Sequence, residues 1–205
     1  MKRAPNLLRS GKQTVQKRRE SKRQGGSSSI ALPPVSFVVR PYATGRDNAR
    51  VARCHSELLL RQQQLWHKLS GLTDDPQEPK RSSETTREAA NWVRQLGMMI
   101  GRGDAVVLLL DGPAGESAAY ALVTDTVDPL AMERTGIVGE LYVEPEWRGK
   151  GAGQQMLQAA ERWLRARGVR SVQVFVTRTN ADAVDLYTRA GYVTYDYRMV
   201  KTLST

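Results

Sequence analysis

Histidine and cysteine are nearly missing from this chain of 205 residues, which holds two His and one Cys. With Cys54 alone, no internal disulfide can form. Without a Cys-x-x-Cys pair or a His cluster, a structural zinc is not expected either. A chain that does without disulfides suits a reducing compartment, and a cytoplasmic location is expected. Also missing is any run near the roughly 20 apolar residues that a membrane-spanning helix needs, and any apolar core of secretory type near Met1. The length suffices for one domain with a sizeable core.

Acidic residues are scarce in one place only. The net charge is +10, yet residues 1–24 carry nine Lys or Arg against Glu20 alone, a balance of +8 that leaves +2 for everything after them. The basicity belongs to the tail, so the rest of the chain gives little reason to expect a nucleic-acid enzyme. Residues 1–34 combine this charge with Gly25-Gly26-Ser27-Ser28-Ser29 and Pro33-Pro34 and have too few apolar residues to bury. They are expected to be a disordered extension. An Arg- and Ser-rich, acid-poor segment also fits organelle import, or a contact to nucleic acid or an anionic membrane through the tail alone.

The folded domain is expected over 35–205. Ser36 to Arg40 reads as a short strand closed by Pro41. Val51, Cys54, Leu58, Leu65 and Leu69 recur at three- and four-residue steps, predicting a helix from Asn48 to Ser70. After the loop Asp74 to Pro79, a second helix fits Glu84 to Ile100. The strands Ala105–Leu110 and Ser117–Thr126 flank Asp111-Gly112-Pro113-Ala114-Gly115 and form an antiparallel hairpin. Ile137 to Val143 is a further strand, followed by a helix from Gln155 to Arg167 with Gly168 as its C-cap. Val172–Val176 is a strand, Asn180 is the N-cap of a helix through Arg189, and Tyr192–Val200 is a last strand.

The most informative stretch runs from Gly136 to Gly153. Pro145 ends its strand, and Gly149, Gly151 and Gly153 leave the backbone bare at a helix start, with Arg148 and Lys150 adding charge. The first amides of a helix lack internal partners and lie at the positive end of its dipole, so such a start binds phosphate. The Walker pattern requires Lys-Ser/Thr after the last glycine, whereas Gln154-Gln155 follow here. The dinucleotide fingerprint requires Gly where Gln154 stands.

Arg148-Gly149-Lys150-Gly151-Ala152-Gly153, after a strand ending Leu141-Tyr142-Val143, resembles the Arg-x-x-Gly-x-Gly loop of the GCN5-related N-acetyltransferase (GNAT) superfamily. Asn180-Ala181-Asp182-Ala183-Val184-Asp185-Leu186-Tyr187, continuing to Gly191-Tyr192, matches that family's second signature. The resemblance covers about residues 36–200. It implies a mixed α/β (α+β) GNAT fold, a mostly antiparallel sheet of about six strands flanked by about four helices. It further implies acetyl-CoA as co-substrate, with no metal.

By the same resemblance, residues 148–153 hold the pyrophosphate, and a bulge in the central strand frees the Val143 amide for the thioester carbonyl. Leu141 then lies along the pantetheine arm, with Tyr142 and Asn180 as further coenzyme contacts. Tyr187 is the acid for the departing thiolate, its ordinary pKa of about 10 lying close to that of a thiol. Glu140, placed just before the bulge, is the candidate base or substrate contact, although strand alternation sets it on the face opposite Leu141 and Val143. Cys54 and His55 do not pair as nucleophile and base, because successive helix residues diverge by about 100°. The implied activity is acetyl transfer to a primary amine of a small molecule or peptide, by direct attack in a ternary complex. The alternative is a coenzyme-binding docking module that uses the tail. Expected partners are the amine substrate, with a homodimer admitted. Specificity is expected in residues 48–102 and 126–135.

Overall fold

The computed structural model describes residues 35–70, 82–128, 131–199 and 201. The expected tail over 1–34 and the loop 74–79 lie outside them. The run Ala105–Leu110 is apolar at every position because both of its faces are covered. It forms β2 (Ala105–Asp111), flanked by β1 (Val38–Pro41) and β3 (Ser117–Val127). Ala105, Val107 and Leu109 face one core with Val51, Cys54 and Leu96, whereas Leu108 and Leu110 face another with Met156, Leu157 and Leu164. The first core lies under α1 (Asn48–Ser70) and α2 (Ser82–Gly101), and the second under α3 (Ala152–Ala166). Each fully buried Leu contributes roughly 1.5–3 kcal/mol.

The sheet runs β1-β2-β3-β4-β5, with β4 at Arg134–Val143 and β5 at Ser171–Val174. Every neighbouring pair is antiparallel except β4 and β5, which are parallel and are joined through α3. A last helix, α4, spans Ala181–Arg189. None of the described helices is long and apolar enough to cross a membrane.

The fold class is as expected from the sequence, with five strands among the described residues in place of about six. The expected strand Tyr192–Val200 does not form over its described residues. Val193, Tyr195, Tyr197 and Met199 alternate as a strand should, yet each is more than 70% exposed. An alternating segment becomes a strand only when a neighbour takes its hydrogen bonds. The outer edge of β5, four residues long, takes no partner among the described residues.

Candidate active site

β5 pairs with β4 only from Thr135 to Val138 and then turns away, leaving a wedge between the two strands. Strand geometry decides which backbone groups face it. The Glu144 amide donates to the Ala118 carbonyl on β3 at 3.0 Å. Polar groups alternate along a strand, so Glu144 and Tyr142 spend theirs on β3, while Val143 and Leu141 point theirs at the wedge. The Val143 carbonyl accepts from Arg148 Nε at 3.0 Å on that side. Bulge position is the correction here. Glu140 pairs with Leu122 but Val138 pairs with Val123, so the extra residue is Gly139. Glu140 therefore follows the bulge instead of preceding it, and Val143 lies four residues beyond it.

The loop after β4 is one 3-10 turn, Pro145–Trp147, then Arg148 to Gly151. Gly149 and Gly151 take φ of +72° and +87°, where a Cβ is strained, and Gly151 is the N-cap of α3 with no side chain to offer. The first intrahelical bond belongs to Gln155, so the amides of Ala152, Gly153 and Gln154 carry the unspent positive end of α3. Gly153 has a different reason to be glycine. A Cβ there would stand 3.2 Å from Leu186 and 3.5 Å from Val143, so its bareness lets α3 approach α4 and β4. The Lys150 ammonium rests 5.0 Å from the Trp147 ring, and Arg148 folds back over Tyr142 at 5.9 Å.

Beside the wedge lies a shallow cleft, open to solvent. Leu58, Arg61, Gln62 and Leu65 line it from α1, Gly139 and Leu141 from β4, and Asn180 and Tyr187 from the α4 side. Asn180 precedes α4 as expected, but its side chain makes no capping bond and is left to the cleft. Tyr187 is 9% exposed, and burial pushes its phenol up to about 12. Tyr142 does not join this group: its ring is in the core, and its backbone groups face β3.

A model of the acetyltransferase (GNAT) family matches residues 66–192, more than half of the chain. The chain belongs to the acetyltransferase (GNAT) family. GNAT relatives are similar at low identity. An uncharacterized N-acetyltransferase of Bacillus subtilis is 30% identical over 42% of this chain and 58% of its own length. Mycothiol acetyltransferase of Kytococcus sedentarius is 26% identical over 78% of this chain and 48% of its own length. The chain thus spans about half the length of these curated relatives. Among solved structures, a predicted acetyltransferase of Clostridium acetobutylicum with acetyl-CoA superposes at a TM-score of 0.56. It is 16% identical and covers 82% of this chain and 96% of that one. Such likeness shows the GNAT fold, in a family that uses acetyl-CoA.

Of the signature residues, Leu141, Asn180 and Tyr187 line one cleft, while Gly153 lies against Val143 and Leu186 and Arg148 reaches back to the Val143 carbonyl. Glu140 stands apart from the signature residues. It faces α1, as alternation predicts, and there it meets a residue that sequence reasoning had set aside. His55 Nδ1 lies 3.0 Å from each Glu140 oxygen, and the Tyr120 hydroxyl donates to Glu140 Oε2 at 2.7 Å. Cys54 points the other way, into the core beside Glu144, and burial pushes its thiol up to about 11. It is no nucleophile. The signal for His55 in the sequence was its place one turn before Leu58 on the stripe of α1 that lines the cleft.

Proposed function

We propose that this GNAT domain transfers the acetyl group of acetyl-CoA to a primary amine of a small molecule or peptide, by direct attack in a ternary complex. One observation carries the reading. The uncapped start of α3 lies beside Val143 at the end of the unpaired edge of β4, and Leu141 on that edge lines the cleft, so one extended ligand can meet anion-binding amides at one end and strand amides at the other. Acetyl-CoA has that shape and charge.

In this reading, the amides of Ala152 to Gln154 and the side chains of Arg148 and Lys150 take the pyrophosphate. Leu141 and Val143 offer their wedge-facing N–H groups to the pantetheine arm and the thioester carbonyl, where negative charge develops as the amine attacks. The carbon–sulfur bond breaks toward Tyr187, whose hydroxyl gives the sulfur its proton. Burial raises the proton affinity of the phenol, and it raises that of a thiolate released beside it for the same reason. An amine with a pKa near 10 arrives charged and must first lose a proton, which leaves toward the His55–Glu140 pair.

Acetyl-CoA at 100 times its dissociation constant should add about 2.7 kcal/mol of stability. For a domain of this size the melting temperature should then rise by roughly 5–10 °C. No rise at millimolar acetyl-CoA would overturn coenzyme binding. If binding is found but no amine, polyamine, aminoglycoside or peptide in a panel drives CoA release, the transferase reading fails. Arg148→Ala should weaken binding by about 1.5–3 kcal/mol, as expected for a lost charge-assisted hydrogen bond. Calorimetry giving an unchanged Kd would remove Arg148 from the pyrophosphate site.

A further inference from the structure

We infer that His55 is the group that takes the proton from the acceptor's ammonium, and that Glu140 acts by holding the imidazole in place. The inference deepens the transferase reading and rests on it. Both Glu140 oxygens lie 3.0 Å from His55 Nδ1, and one of them also receives the Tyr120 hydroxyl. The carboxylate is thus turned inward and engaged. The imidazole is fixed from a second element too, stacked on the Trp92 ring of α2 at 4.3 Å and 14°. A carboxylate on Nδ1 selects the tautomer in which Nδ1 carries the hydrogen and Nε2 keeps its lone pair. Nε2 has no hydrogen-bond partner among the described residues. The side chain is 12% exposed, enough to meet a water and too little to be a free surface group.

Its location fits the task. His55, Leu58, Gln62 and Leu65 follow one another at helical spacing along one side of α1, and the last three line the cleft. Glu140 lies between Gly139 and Leu141, which line the same cleft from β4. The pair is therefore set just behind the cleft wall, flanked on both elements by residues that line it, and an acceptor in the cleft would reach it through water. The titratable groups against the imidazole are Glu140 and, behind it, Tyr120. Cys54, next in sequence, is turned into the core.

The proton count closes. The ammonium gives one proton to His55 Nε2, and the free amine attacks the thioester carbonyl carbon. The carbon–nitrogen bond forms, the carbon–sulfur bond breaks, and Tyr187 protonates the sulfur. The second nitrogen proton restores the Tyr187 hydroxyl, and His55 releases the first to water. The products are the amide, CoA thiol and one proton.

The test compares wild type, His55→Gln and Glu140→Gln on two nucleophiles: the best alkylamine of the panel, charged at neutral pH, and hydroxylamine, uncharged there. With the alkylamine, His55→Gln should lose about 10²–10⁴-fold in kcat/KM. Its rate should also climb with pH as the free amine does. With hydroxylamine, the loss should be under tenfold, and the acetyl-CoA thermal shift should persist, showing an intact fold. Glu140→Gln should show the same split with a smaller loss. Equal loss on both nucleophiles, or an unchanged pH profile, overturns the role of His55. Absence of transfer by the wild type overturns the transferase reading instead. Nitrogen NMR on the full chain, with His67→Gln to assign the signals, supplies a readout free of turnover. A neutral His55 protonated at Nδ1 supports the inference. Protonation at Nε2 with Nδ1 bare, or double protonation persisting through about pH 9, overturns it.

Discussion

Tyr187→Phe should cut acetyl transfer by about 10²–10⁴-fold while acetyl-CoA still binds, because it removes the group assigned to the leaving thiolate and little else. The ring is buried against the α3-side core and tilted on Tyr192 at 5.7 Å, contacts that a phenylalanine reproduces. Its hydroxyl has no partner whose loss would orphan a buried group: burial is the sole cause of its raised pKa, and the residue lines the cleft. The fold should therefore tolerate the change. The effect should appear in kcat, with the coenzyme-induced melting shift kept, since an interaction made only as the carbon–sulfur bond breaks does not contribute to ground-state binding. A variant with wild-type kcat would remove Tyr187 from the acid role. One that loses the melting shift as well would mean that the hydroxyl holds coenzyme.

What was legible in the sequence was whatever local physics decides. The apolar run of β2, the stripe of α1 and the bare loop before α3 each follow from periodicity or backbone freedom. Side-chain parity was legible too: Glu140 was read as facing away from Leu141 and Val143, and it does. What was not legible depends on partners. A bulge is a mismatch of count between two strands, so placing it at Gly139 requires the register of β3. Asn180 has the right identity for a cap, but whether its side chain bends back to the helix or out to the cleft is settled by tertiary space. Tyr192 to Met199 alternates correctly, but alternation does not supply a neighbour. His55 and Glu140 are separated by 85 positions, beyond any periodic signal. The divergence of successive helix residues, which rules out a Cys54–His55 pair, is also what sends Cys54 into the core and His55 to Glu140.

Asp111→Asn should unfold the domain at a temperature about 6–12 °C lower, because one carboxylate at the end of β2 ties α1 to the sheet. It accepts from Arg50 on α1 and from Arg40 Nε on β1 at 2.6 Å. Arg50 goes on to the Leu110 and Ala119 carbonyls at 2.6 and 3.2 Å, and Arg40 to Asp47 at 2.8 Å. The side chains of Asp111 and Arg50 are each 15% exposed, so the asparagine would leave the Arg50 guanidinium without its counter-charge and with little water to replace it, while Arg40 keeps Asp47. Breaking such a pair from one side costs about 3–5 kcal/mol when fully buried. The residual exposure argues for the lower end, about 3 kcal/mol, which at 2–4 °C per kcal/mol gives the stated fall. The sign with pH follows. Burial pushes the Asp111 carboxyl up, but the hydrogen bonds from Arg50 and Arg40 hold it below its ordinary value. Its stabilisation is therefore present above the unfolded carboxyl pKa of about 3.9 and is lost as pH falls through the lower folded value. The gap between wild type and variant should be widest near neutrality and should close on acidification below about pH 4. Asp185→Asn is the control. It removes the exposed i, i+4 contact with Arg189, whose side chains are 70% and 72% exposed, and should leave the melting temperature unchanged. If Asp111→Asn instead melts with the wild type at pH 7, the Arg40–Asp111–Arg50 bridge is solvated, and α1 is held on the sheet by its other contacts, Val51 and Cys54 in the core among them.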